Sequence, residues 1–92
     1  MARVRIPTIL QPAAEGAAVV EAAGVTVGEV LRAVGDRHER FARLVFERDG
    51  SLKRYLAVFV GDQDVRHLRG LDTPVPDGAE VIVLPAASGG AS

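Results

Sequence analysis

The sequence predicts an α+β fold: a mixed sheet of four to five strands packed on one main helix, with a flexible C-terminal tail. Three observations predict it. Runs with strand character open and close the chain, at residues 3–6 and 80–84. One strong amphipathic helix pattern lies between them, at residues 26–34. The closing run stops at Pro85 and gives way to small residues that include Gly89-Gly90.

The elements follow in order. Arg3-Val4-Arg5-Ile6 alternates, so Val4 and Ile6 face a core while Arg3 and Arg5 face water. Pro7 cannot donate a ladder bond and makes the far end of this strand, to residue 10, an edge or a bulge. Residues 11–16 carry Pro12 and Gly16 and read as a hairpin loop leading to a second strand at 17–22. Thr26 and Glu29 have capping-box spacing. Val27, Val30, Leu31 and Val34 then form one apolar stripe, with Gly35 as the expected stop. Residues 36–48 fit a helix or a strand start equally; Arg37, Arg40 and Arg43 there read as a basic docking patch or, more simply, a solvated face balanced by Asp36, Glu39 and Glu47. Arg48-Asp49-Gly50-Ser51 signals a turn, residues 55–60 a central strand, and residues 61–64 its end. Val65-Arg66 reads as a very short strand. Residues 67–78 read as a loop anchored by Leu71 and Val75. A helix on a mixed sheet whose first and last strands are central and adjacent is the β-grasp (ubiquitin-like) arrangement; antiparallel α+β sandwiches of other topology compete with it.

The 92 residues suffice for one domain, taken as residues 1–85, with residues 86–92 as the tail. Net charge is −1, so no overall field attracts nucleic acid or an anionic membrane. No apolar run approaches the ~20 residues of a membrane span. The N-terminus opens in a strand pattern without a signal-peptide core, and cytoplasmic residence is expected. Cysteine is absent, which excludes disulfides, thiolate nucleophiles and Cys-ligated zinc. His38 and His67 read as solvated and have no metal-ligand spacing; no metal and no bound cofactor are expected.

The run from Leu71 to Pro85, followed by Gly89-Gly90, resembles the ubiquitin-like sulfur carriers. That family includes the molybdopterin synthase small subunit, the thiamine-pathway carrier and the carrier of cysteine biosynthesis. The opening Val4-Arg5-Ile6-Pro7-Thr8-Ile9-Leu10, the segment from Phe59 to Arg66, and Leu84-Pro85-Ala86 resemble the cysteine subtype most. The resemblance implies that Gly90 is adenylated by an E1-like adenylyltransferase/sulfurtransferase that uses ATP, and becomes a thiocarboxylate. It implies a protein cosubstrate rather than an enzyme. It also implies a sulfur-accepting synthase, PLP-dependent in this subtype. The alternatives are a ubiquitin-like modifier conjugated through Gly90 and the molybdopterin synthase small subunit.

The tail suits such delivery. Gly89 and Gly90 lack Cβ atoms and can enter a narrow channel, and Ala86, Ala87 and Ser88 are small. Fully extended at ~3.3 Å per residue, Ala86 to Gly90 reach about 16 Å beyond Pro85. Strand alternation places Phe59, Ile82 and Leu84 on the open sheet face beside the tail root, as an apolar partner-binding patch together with Pro85 to Ser88, unless a loop or a dimer contact covers it. Arg66 and Arg69 nearby either steer an acidic partner or are simply solvated. The family pattern ends at the second glycine, whereas here Ala91-Ser92 follow, so the Gly90 carbonyl is held in a peptide bond. Either a peptidase, a metalloprotease by the resemblance, cuts between Gly90 and Ala91, or Ala-Ser is a remnant left by cloning.

Overall fold

The computed structural model describes residues 1–86. Five strands form one sheet: β1 (Ala2–Arg5), β2 (Val19–Ala22), β3 (Leu56–Val60), β4 (Gln63–Asp64) and β5 (Glu80–Pro85). Their spatial order is β2-β1-β5-β3-β4. β1 and β5 pair in parallel at the centre, with Arg3 opposite Glu80 and Arg5 opposite Ile82. All other neighbours are antiparallel. This is the mixed, helix-backed β-grasp sheet, and the parallel β1-β5 pair rules out the antiparallel sandwiches that competed with it.

Helix α1 (Val27–Arg37) lies on one sheet face, and the shorter α2 (Glu39–Val45) packs against it. The ambiguous stretch 36–48 is therefore mostly helical. Its start is set where His38 ends one helix and begins the next. The cap of α1 is the expected one: Thr26 Oγ1 accepts from the Glu29 amide at 3.2 Å. The Glu29 carboxylate reaches back to the Val25 amide at 2.9 Å, one residue before the cap. Such a cap is worth about 1 kcal/mol. Val27, Val30, Leu31 and Val34 are fully buried, and Phe41 and Val45 of α2 join them. From the sheet come Val4, Leu56, Val58, Val81 and Val83. Alternation thus holds on all three central strands.

Four expectations fail. His38, expected to be solvated, has a side chain only 15% exposed, 3.6 Å from the Glu15 carboxylate. Gly35 does not end α1, which runs to Arg37. Instead a Cβ at Gly35 would stand 2.9 Å from the Ala42 Cβ, so the glycine lets the two helices approach. Residues 8–14 are neither strand end nor hairpin loop but a 3₁₀ helix that begins after Pro7, contains Pro12 and buries Leu10, Ala13 and Ala14. Prolines fix φ near −65°, which suits a helical turn as well as a loop, and the apolar anchors decide between them. The short strand falls on Gln63–Asp64, not on Val65-Arg66. The Asp64 carboxylate accepts from the Arg66 amide at 2.9 Å and starts a 3₁₀ turn there, which buries Val65. The turn at 48–51 forms as expected: Asp49 Oδ1 accepts from the Ser51 amide at 3.0 Å and from its hydroxyl at 2.7 Å. Val75 is buried and Leu71 packs at the core margin, so the 67–78 segment is anchored where expected.

Candidate functional site

With Val81 and Val83 turned to the helices, Ile82 and Leu84 point to the opposite face of β5. Cross-strand register sets Phe59 against Ile82 and Ala57 against Leu84. Phe59 and Ile82 are half-buried, and Leu84 is 42% exposed. These four side chains make the apolar half of the open face, next to the end of β5. The other half is charged: Arg5 lies beside Ile82 in the neighbouring strand and pairs with Glu80 at 3.4 Å, and Arg3 faces Glu21 across β1 and β2. A shallow depression lined by Arg5, Pro7, Thr8, Gln11, Ile82 and Leu84 lies between this face and the 3₁₀ helix.

The exit of the chain from the sheet is fixed by hydrogen bonds. Pro85 has no N–H, yet its register partner Leu56 asks nothing of it. The next amide, on Ala86, donates to the Tyr55 carbonyl at 2.6 Å. Ladder pairing therefore continues one residue past the proline. Tyr55 is itself held, its hydroxyl donating to the Leu44 carbonyl of α2 at 3.0 Å. Arg66, read from sequence as solvated or steering, turns its guanidinium onto backbone: Nη2 donates to Leu56 O at 2.7 Å and to Arg54 O at 3.2 Å. Sequence reasoning missed Tyr55 and Arg66 as supports of the tail root. The available signal was a proline ending a strand whose chain must still be held.

Of the expected site residues, Phe59, Ile82 and Leu84 share the open face, and Pro85 and Ala86 follow at the end of β5. Ala87, Ser88, Gly89, Gly90 and Ala91 lie outside the described residues. Lys53, the single lysine of the sequence, pairs with Glu47 at 3.4 Å on the helical side. Among the described residues no group of three or more His, Asp or Glu is placed to hold a metal. No helix among them is long and apolar enough to cross a membrane.

The model of the ThiS family matches residues 4–90. The chain belongs to the ThiS family. Within it, this chain is 37% identical over 89 residues to the sulfur carrier protein CysO of Mycobacterium tuberculosis, covering 95% of this chain and 96% of that one. The crystal structure of that CysO superimposes with a TM-score of 0.87 over 94% of this chain and 99% of the other, at 35% identity. The Amycolatopsis orientalis BexX/CysO complex gives 0.88 at 39% identity, over 98% and 100% of the two chains. Small archaeal modifier protein 3 of Haloferax volcanii is 37% identical over 65 residues, 71% of this chain and 70% of the other. The β-grasp fold of this ThiS-family chain is thus shared with both sulfur carriers and small modifiers.

Proposed function

We propose that this protein is a sulfur carrier that works through Gly90 as a cosubstrate of other enzymes. One observation carries the reading: the family match stops at Gly90, four residues beyond an Ala86 that is pinned beside an apolar open face. Hydrolysis of the Gly90–Ala91 bond, by a metalloprotease in this proposal, releases Ala91-Ser92 and frees the carboxylate. A carboxylate is a poor acyl donor because oxide would have to leave. An E1-like enzyme therefore transfers it to ATP: a Gly90 oxygen bonds to the α-phosphorus and pyrophosphate departs. Hydrosulfide then attacks the acyl carbon, the bond from that carbon to the AMP oxygen breaks, AMP leaves with that oxygen and the bonding pair, the S–H proton is lost, and a thiocarboxylate remains. Its charge sits on a soft sulfur, so it is a nucleophile without a neighbouring base, the help that hydroxyl nucleophiles require.

The rest of the chain positions that end. Phe59, Ile82 and Leu84 dock the activating enzyme, and Ala86 to Gly89 pass its channel. The proposed acceptor is an activated serine derivative on a PLP-dependent synthase, which suits the likeness to CysO. The work takes place in the cytoplasm, where ATP is available. The BexX/CysO complex supports docking of a fold like this one on a partner chain.

A second reading rests on the Haloferax volcanii modifier: Gly90 forms an isopeptide with target lysines, Lys53 being the one such side chain on the protein itself. Intact mass of the protein made in its own host separates the readings. A species ending at Gly90 with one oxygen replaced by sulfur is expected. A chain ending at Ser92 in sulfur-starved and sulfur-fed cells alike overturns the proposal, and high-mass conjugates lost in Gly90→Ala favour the modifier.

A further inference from the structure

We infer that Arg66 is a positioning residue for the tail, acting through the Tyr55 carbonyl. The inference rests on the carrier reading for its purpose but not for its geometry. Arg54 and Tyr55 are the middle of a turn closed by the Leu56 amide on the Lys53 carbonyl at 3.2 Å. Peptide planes in such a turn reorient more easily than those of a strand, because no ladder holds them on both sides. Here one guanidinium nitrogen holds the two carbonyls that bracket Tyr55, at 3.2 Å from Arg54 O and 2.7 Å from Leu56 O. Hydrogen bonds from a charged donor are the stronger kind. Between these two anchored carbonyls, the carbonyl of Tyr55 is left aimed at β5, where it receives the Ala86 amide at 2.6 Å.

Arg66 is placed for this by its own neighbours. Its amide is bound by the Asp64 carboxylate at 2.9 Å, and Val65 beside it is buried, so the side chain leaves a fixed backbone. The chain of support runs from the end of β4 through Arg66 and the 54–56 turn to Ala86. Its effect is to set both the point and the direction from which the tail leaves. Without it the hold on the chain ends at Pro85 instead of Ala86, and a partner must order one more residue to bring Gly90 into its channel. Ordering one backbone residue costs about a factor of ten in the equilibrium. Arg66 touches no reacting atom, so the loss falls on productive engagement of the tail and not on the chemistry of Gly90.

The test compares full-length wild type, Arg66→Met, and Thr26→Ala as a variant destabilised far from the tail. In labelled protein, the scalar coupling across the hydrogen bond from the Ala86 nitrogen to the Tyr55 carbonyl carbon and the Ala86 amide exchange rate are measured. Wild type and Thr26→Ala are expected to show the coupling and a protected amide; Arg66→Met is expected to lose both. Each variant is then co-expressed with wild type in the protein's own host, and the early fraction carrying a Gly90 thiocarboxylate is read by intact mass. Arg66→Met is expected to lag wild type roughly tenfold, and Thr26→Ala to keep pace. Retention of the coupling in Arg66→Met overturns the inference. So does loss of the coupling with sulfur loading equal to wild type. If wild type carries no sulfur at all, the carrier reading falls, and the coupling measurement alone decides whether Arg66 is the clamp.

Discussion

Leu84 offers the sharpest check on the open face. It exposes 42% of its surface at the end of the apolar half of that face, across from Ala57. Full burial of a leucine side chain is worth about 1.5–3 kcal/mol. The exposed share that a partner can still cover is therefore worth about 1 kcal/mol. Leu84→Ala should weaken docking about fivefold. Leu84→Glu should do more, because a carboxylate carried into an apolar contact without a partner pays its desolvation as well. The folded state loses a comparable amount, about 1 kcal/mol or somewhat more, from the share of Leu84 that the sheet already covers, and the chain stays folded because the core lies on the other face. The assay is the fraction of chain carrying sulfur at Gly90 when variant and wild type share one host, with melting temperatures measured beside it. A Leu84→Glu chain that stays folded and loads sulfur at the wild-type rate would refute the assignment of this face.

Further perturbations bear on the folded domain. Gly35→Ala sets a methyl 2.9 Å from the Ala42 Cβ, between two helices with no flexible side chain to yield, and should cost about 1–3 kcal/mol in urea unfolding. Phe41→Ala removes a fully buried ring of the core and should cost about 3–5 kcal/mol by the same assay, enough to unfold a large share of a marginal domain. The Ser51 hydroxyl and amide hold the Asp49 carboxyl below its ordinary value. A lowered folded pKa stabilises the fold above the unfolded value of about 3.9 and loses that contribution as pH falls through the lowered one. Asp49→Asn should accordingly flatten the acid limb of stability against pH, read from melting temperatures between pH 5 and the acid transition.

Much of this was legible because its causes are local. Period-two alternation put Val4, Val58, Val81 and Val83 inside and Phe59, Ile82 and Leu84 outside, and both patterns hold. Thr26 and Glu29 signalled the start of α1 within four residues of chain. What escaped depends on distant partners. Gly35 looks like a helix stop until Ala42 is seen against it. Residues 8–14 look like a loop until Leu10, Ala13 and Ala14 are found in the core. Arg66 looks like any surface charge, because nothing in its neighbourhood along the chain announces that its targets are the carbonyls of residues 54 and 56.

The central place of β5 has a consequence for incomplete molecules. Its pairing partners are β1, more than four-fifths of the chain away, and β3. Take β5 out and the sheet falls into two separate hairpins, β2-β1 and β3-β4, with Val81 and Val83 missing from the core. Half of the apolar patch, Ile82 and Leu84, leaves with them. A stalled or clipped product ending before Glu80 should thus not fold, by circular dichroism, nor, on the proposed function, compete for the partner enzyme. Because the strand that closes the core also carries the chain toward Gly90, a copy that has lost β5 has lost its core and half of the open apolar face together.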